Sequence, residues 1–321
     1  MIDTSIWQTQ PKRRVFDSMR AWKGLGSFKM PTLTRTGPAF ADAVVAITGA
    51  ASGIGRALAV ELSSYGARLA LADLDAAGLE ETRKRCSKGR PALTTVVDVR
   101  DSTAMAAFAS ETDERWGRVN VIINNAGILF TGDVQWSTLD EAHAVMDTNY
   151  WGVVHGTKAF LPYLIKSGAG HIVNVSSAFG LLSAPSYSAY SAAKFAVRGF
   201  TEALRQEMVN AGHPVGVSCV YPGGVRTGIM RNSTAAAAAD LAAVQRLFDK
   251  HVARTEPAAA AVAILRGVRA GRPTILIGPD ARVANLLVRL LGWRYQELSR
   301  LHSSYMARKA ARFSGSAASD G

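Results

Sequence analysis

Seven short apolar runs that do not alternate in polarity, separated by stretches of helical period, constrain this chain more than any other feature. They are Val44-Val45-Ala46-Ile47, Leu69-Ala70-Leu71 and the segments 94–97, 119–123, 172–175, 215–220 and 274–277. A strand without alternation is buried on both faces, and parallel strands need a crossover, usually helical, to connect them. Between the runs lie amphipathic stretches such as Ile54, Ala57, Leu58 and Leu62, which share one helical face. The expected architecture is an α/β fold: a doubly wound parallel sheet in three α/β/α layers, the Rossmann arrangement, formed as a single domain over residues 41–278. With 321 residues, 48% of them hydrophobic, the chain can bury a large core. No apolar run reaches the roughly 18 residues of a membrane-spanning helix.

The net charge of +12 is concentrated at the two ends. Residues 1–40 carry seven Lys/Arg against two Asp/Glu, and residues 279–321 carry seven against three, so the body between them is close to neutral. Such a body is not expected to bind nucleic acid, whereas the basic ends suit a solvated surface, an acidic partner or an anionic membrane surface. The N-terminal extension lacks the apolar core of a secretory signal. In the C-terminal extension Val283, Leu286, Leu287, Leu290 and Leu291 share one helical face with Arg282, Arg289 and Arg300 on its margin, and Gly292 interrupts it. That pattern predicts an amphipathic basic helix, docked on this protein, on a second copy or on a membrane surface, followed by a disordered end from 314. Cys86 and Cys219 show no paired spacing, and the six histidines show no ligand spacing. The expectations are a reducing, cytoplasmic compartment, with peripheral membrane association as an option, and no metal.

The first run ends in Thr48-Gly49-Ala50-Ala51-Ser52-Gly53-Ile54-Gly55, which turns straight into a helical pattern. Glycines there permit a tight turn and let a pyrophosphate approach the amides of a helix N-terminus. Further along stand Asn124-Asn125-Ala126-Gly127, Asn149 in Asp147-Thr148-Asn149-Tyr150, and Ser177 thirteen residues before Tyr190 in Tyr190-Ser191-Ala192-Ala193-Lys194. Pro222-Gly223-Gly224-Val225-Arg226-Thr227 follows the sixth run. In this order and spacing the chain resembles the classical short-chain dehydrogenase/reductase family across roughly residues 43–278.

The resemblance implies a catalytic set of Asn149, Ser177, Tyr190 and Lys194, with Asn149 holding a water that links Lys194 to solvent. It implies cofactor contacts from Thr48, Gly49, Ser52, Gly53, Ile54 and Gly55, from Asn125, Ala126 and Gly127, from Tyr190 and Lys194, and from Pro222, Gly223, Val225 and Thr227. It also places Asp98, with Val99, beside an adenine ring, and implies a homodimer or homotetramer paired through the helices of Asn149 and Tyr190.

Physical chemistry reaches the same residues. Tyr190 and Lys194 are one helical turn apart, so both emerge from one face. A phenol is a poor base at neutral pH, and a nearby ammonium together with an oxidised nicotinamide favours its phenolate. Ser177 at a strand end can hydrogen-bond the same substrate oxygen, and alternation turns its neighbour Ser176 the other way. Asp73, ending the second run, can accept two ribose hydroxyls and repels a 2′-phosphate, while Leu74 offers no cation to bind one. NAD(H) is therefore the favoured cofactor, with NADP(H) the alternative; helix capping is the competing role for Asp73, one that Asp75 could fill alone.

The predicted activity is hydride transfer between nicotinamide C4 and a secondary alcohol or ketone carbon. The alternatives are an NADPH-dependent carbonyl reductase and a nicotinamide-sensing scaffold without catalysis. A lid over 228–254, with Ile229, Met230, Leu241, Val244, Leu247 and Phe248, and a wall of Phe179, Leu181, Leu182 and Tyr187 suggest a lipophilic substrate. Trp151, Phe160 and Leu161 are read as packing against core or subunit neighbours.

Overall fold

Each of the seven apolar runs forms a strand. The computed structural model describes residues 37–86, 92–229, 233–235, 245, 253–301 and 303–304. The strands are β1 (Val44–Thr48), β2 (Arg68–Asp73), β3 (Leu93–Val96), β4 (Val121–Asn124), β6 (Gly170–Val175), β7 (Val215–Pro222) and β9 (Thr274–Ile277). They pair in parallel in the order β3-β2-β1-β4-β6-β7-β9. The order reverses at β1, whose neighbours are β2 on one side and β4 on the other, and the crevice beyond those strand ends is where a doubly wound sheet receives its ligand.

Alternation along β1 divides the core into two layers. Val45 and Ile47 join Leu58 and Leu62 of α1 (Gly53–Ser64), Leu79 of α2 (Ala76–Arg85) and Ile264 and Leu265 of α7 (Pro257–Arg269). Ala46 faces the other way, with Met105 and Phe108 of α3 (Ser102–Trp116), Phe160 and Leu164 of α5 (Gly152–Lys166) and Leu204 of α6 (Ser188–Asn210). Burying large aliphatic and aromatic side chains on both faces contributes about 1.5–3 kcal/mol for each. Helix α4 (Leu139–Met146) starts with a capping box between Thr138 and Glu141 and runs into α5 through a π-helical turn, Asp147–Trp151.

Smaller pieces join the ends to this frame. The two-residue strands β5 (Phe130–Thr131) and β8 (Thr234–Ala235) pair in parallel, and Val225 bridges Thr255. These pairings fix the chain at 225, at 234–235 and at 255, around the segment that the sequence reading takes as a lid. Of the predicted lid residues Ile229 is half-buried, and Met230, Leu241, Val244, Leu247 and Phe248 lie outside the described residues, as do 1–36 and 305–321. Gly37 N donates to Arg269 O at 2.8 Å and Phe40 is buried against Tyr65, so 37–40 pack on the frame.

Helix α8 (Gly278–Leu291) does not dock on its own chain through the aliphatic stripe, one of the three dockings expected from the sequence. Its buried contacts are Ala281 and Ala284, while Val283, Leu286 and Leu290 are exposed and Leu287 and Leu291 half-buried. Small residues let the helix backbone approach the sheet closely, which turns the aliphatic stripe outward.

Candidate functional site

The glycine turn and the end of β4 are locked together by hydrogen bonds that the sequence encodes at both ends. Thr48 Oγ1 accepts from the amides of Asn125 at 3.0 Å and Ala126 at 3.1 Å. In return Asn125 Nδ2 donates to the carbonyls of Thr48 at 3.0 Å and Gly49 at 3.1 Å. Gly49 and Gly53 take φ of 66° and 53°, a region L side chains rarely adopt. A Cβ at Gly49 would strike the Ala126 backbone, and one at Gly53 would press on the Thr227 side chain. Ser52 stands at the N-cap of α1 without a side-chain capping bond, so the first-turn amides keep their donors for a ligand. Gly49 thus packs on Ala126 and Gly53 on Thr227, a turn without side chains whose free amides fit a pyrophosphate.

At the end of β2, Asp73 Oδ2 accepts from Ala51 N at 2.9 Å and Oδ1 from Asp75 N at 3.1 Å. Asp75, not Asp73, caps α2, accepting from Gly78 N at 2.9 Å. The carboxylate of Asp73 is therefore aimed by the glycine turn itself, and Leu74 beside it is exposed. Asp98 is engaged by Arg100 Nη2 at 2.6 Å, which holds its carboxyl below the usual carboxylate range, and Val99 is buried behind it.

Across the crevice, the π turn puts Asn149 fully inside the protein. Its Oδ1 accepts from Ile128 N at 2.9 Å and its Nδ2 donates to Ile128 O at 2.8 Å. A Cβ at Gly127 would meet Asn149 Oδ1 and Lys194 Nζ, so the missing side chain lets these groups converge. Lys194 Nζ donates to Val175 O at 3.1 Å and lies 5.7 Å from the centre of the Tyr190 ring. Ser177 Oγ accepts from Phe179 N at 3.2 Å and lies close enough to Tyr190 to lower its pKa, whereas Ser176 Oγ donates to Lys194 O at 2.8 Å and ties β6 to α6. The two adjacent serines face different groups.

Comparison with known proteins agrees with this geometry. The family profile described as short chain dehydrogenase matches residues 43–238. The chain belongs to the short-chain dehydrogenase/reductase family. It is an oxidoreductase of CH–OH groups. It is 47% identical over 260 residues to the Mycobacterium tuberculosis protein named "Putative oxidoreductase SadH", covering 81% of this chain and 94% of that one. Mouse estradiol 17-beta-dehydrogenase 11 is 37% identical, covering 60% of this chain and 65% of that protein. A short-chain dehydrogenase/reductase from Burkholderia phymatum, solved in complex with NAD, superposes with a TM-score of 0.74 at 32% identity, covering 78% of this chain and 94% of that one.

In the protein alone, without the positive charge of an oxidised nicotinamide that the sequence reading invoked, burial dominates the electrostatics of this short-chain dehydrogenase. Burial pushes Tyr190 up to about 12, against a lowering influence of Ser177, and burial pulls Lys194 down to about 8. Desolvation is the largest cause of both shifts in the protein alone.

The wall around Tyr190 also departs in part. Phe179 stacks on Tyr187 with ring centres 4.9 Å apart and meets Tyr190 edge-on at 6.1 Å. These three cluster with Ile128, Leu129, Phe130, Val145 and Ile229. Leu181 does not join them, because the turn after Ser177 carries it to the far side against Cys219 and Tyr221. Phe160 and Leu161 are core, while Trp151 is exposed and stacks on His155. His171 is a core residue, its Nε2 2.8 Å from Ser218 Oγ, with burial holding its imidazole down to about 4.

Two supporting residues escaped the sequence reading. Arg56, on α1, donates from Nε to Thr82 Oγ1 at 3.0 Å and from Nη2 to the carbonyls of Ala51 and Gly78, pinning the glycine turn to α2. Asp280, on α8, accepts from Gly224 N, and its carboxyl occupies the space a Cβ at Gly223 would need. The adjacency of Arg56 to the glycine turn was a usable signal; nothing local marks Asp280.

Proposed function

We propose that this protein oxidises a lipophilic secondary alcohol, or reduces the corresponding ketone, with NAD(H), and that Tyr190 carries the substrate proton. The observation that carries this reading is the convergence of Ser177, Tyr190 and Lys194 inside an apolar wall. The cofactor supplies the hydride acceptor or donor and, when oxidised, a positive charge. Thr48, Gly49, Ser52, Gly53, Ile54 and Gly55 would hold its pyrophosphate end, Asp73 its ribose hydroxyls, and Asp98 and Val99 its adenine. Asn125, Ala126 and Gly127, with Pro222, Gly223, Val225 and Thr227, would hold the nicotinamide side.

Tyr190 as phenolate accepts the proton of the alcohol, and as phenol returns it to the carbonyl oxygen. Ser177 orients that oxygen with a hydrogen bond, Lys194 offers positive charge from the same helix face, and Asn149 keeps the 127–128 turn against Lys194. The amide-held carboxylate of Asp73 beside exposed Leu74 supports NAD(H) over NADP(H). Ile128, Leu129, Phe130, Phe179, Tyr187 and Ile229 support a lipophilic substrate.

The catalytic unit in this reading spans 41–278, with a lid near 228–254 and extensions on either side. Exposed Trp151, Phe195 and Val209, on the helices of Asn149 and Tyr190, support pairing into a homodimer or homotetramer. No described helix is long and apolar enough to cross a membrane.

Replacing Tyr190 by Phe tests the assignment. Turnover of a lipophilic secondary alcohol should fall about 10²–10⁴-fold with the fold retained. Turnover within a few-fold of wild type would refute the role of Tyr190 and leave a nicotinamide-sensing scaffold as the better reading.

A further inference from the structure

The outward face of the C-terminal helix is an amphipathic surface that the catalytic reading does not use. Leu290 and Trp293 are 72% and 70% exposed, and Val283 and Leu286 extend the same face along α8. Arg282 and Arg289 are exposed on its margin, and Arg294 follows at once. The nearby carboxylates are already engaged within the chain. Asp280, exposed, accepts from Gly224 N, and Glu297 is paired with Arg300 at 3.3 Å.

The segment is also tied to the substrate wall. Tyr295 Oη lies 3.0 Å from Ser183 Oγ, and Ser299 Oγ donates to Ser183 O at 3.1 Å. On the other side of the same loop, Ser186 Oγ donates to Asp133 Oδ1 at 2.6 Å, and Asp133 leads into exposed Val134 and Trp136. Both exposed apolar groups therefore border the loop that runs from Ser177 to Tyr190.

We propose that the outward face of α8, with Leu286, Leu290 and Trp293 as its apolar contacts and Arg282, Arg289 and Arg294 as its charges, docks on an anionic lipid bilayer beside the loop that runs from Ser177 to Tyr190. Apolar side chains edged by arginines match the acyl boundary and the headgroup charge of such a surface. A second copy of this face is a poorer match, because self-pairing about a two-fold axis would set arginine against arginine with the nearby carboxylates already engaged. The proposal is independent of which alcohol the enzyme takes.

Co-sedimentation of the full chain with vesicles tests it, using phosphatidylcholine alone and phosphatidylcholine with about 30% phosphatidylglycerol. The wild type should bind the anionic vesicles, and added salt should weaken that binding. The exposed pair Leu286→Glu with Leu290→Glu should lose at least about tenfold in partitioning. Arg289→Gln with Arg294→Gln should lose about fivefold for each charge. Melting temperature and NADH binding check that each variant is folded, and because the two pairs alter the face in different ways, one remains informative if the other misfolds. The proposal is overturned if the wild type binds neither vesicle or if folded variants bind as it does. It is also overturned if the Leu286/Leu290 pair changes the subunit number in the absence of lipid, which would make the face a contact between copies.

Discussion

Asn149, Tyr190 and Lys194 are buried beneath the apolar wall at one end of the crevice, whereas Asp73 at the other end is half-open beside solvent-exposed Leu74. The buried end spends its hydrogen bonds on the chain itself: Asn149 on Ile128 and Lys194 on Val175. The open end presents one carboxylate aimed by two backbone amides. Geometry and fold are coupled at the first, so a substitution there disturbs chemistry and stability together. At the second a substitution changes which molecule is chosen and disturbs the frame only through the two backbone amides that Asp73 accepts from.

The strongest way to break this contrast is at Ser177. Ser177→Ala should lower kcat about 10²–10³-fold if, as proposed, Ser177 hydrogen-bonds the reacting oxygen. It should also move the pH profile. Tyr190 accepts a proton only as phenolate, and burial holds its pKa at about 12, so alcohol oxidation should accelerate as pH rises through the alkaline range. Ser177 lowers that pKa, so its loss should shift the rise to higher pH, whereas a merely structural serine would leave the profile in place.

The open end should respond in selectivity. Asp73→Ser should shift the ratio of NADPH to NADH affinity about ten- to a hundredfold toward NADPH, with kcat on a saturating cofactor little changed. A large loss of kcat instead would mean that the two ends are not separable. Asn149→Ala should cost about 2 kcal/mol of stability, read by urea denaturation, because it strands the Ile128 amide and carbonyl inside the protein. Smallest is Asp280→Ala, which should weaken cofactor binding about fivefold through the loosened Gly224 segment. No change in affinity would detach α8 from the crevice.

The strands were legible because a parallel sheet covered by helices on both faces leaves unbroken apolar runs, and the same logic placed the glycine turn at the end of β1. Alternation also predicted that Ser176 and Ser177 turn to different groups, as their hydrogen bonds show. The remainder depends on contacts that no local pattern encodes. The π turn that buries Asn149 needs one extra residue per turn and carries no compositional mark. Asp280 meets a loop 56 residues earlier in the chain. The stripe of leucines in α8 suggested its docking side, but close approach to the sheet selected Ala281 and Ala284. The Tyr190–Lys194 pair was readable as a juxtaposition, while the direction of its titration was set by burial, which sequence spacing does not report.

The most direct test of the account is fluorescence titration of the Tyr190→Phe protein with NADH and with NADPH, alongside the wild type. Proton transfer at one end and cofactor choice at the other predict that the variant binds NADH as tightly as the wild type and in preference to NADPH. Loss of NADH binding in a folded variant, or tighter binding of NADPH by both proteins, would contradict it.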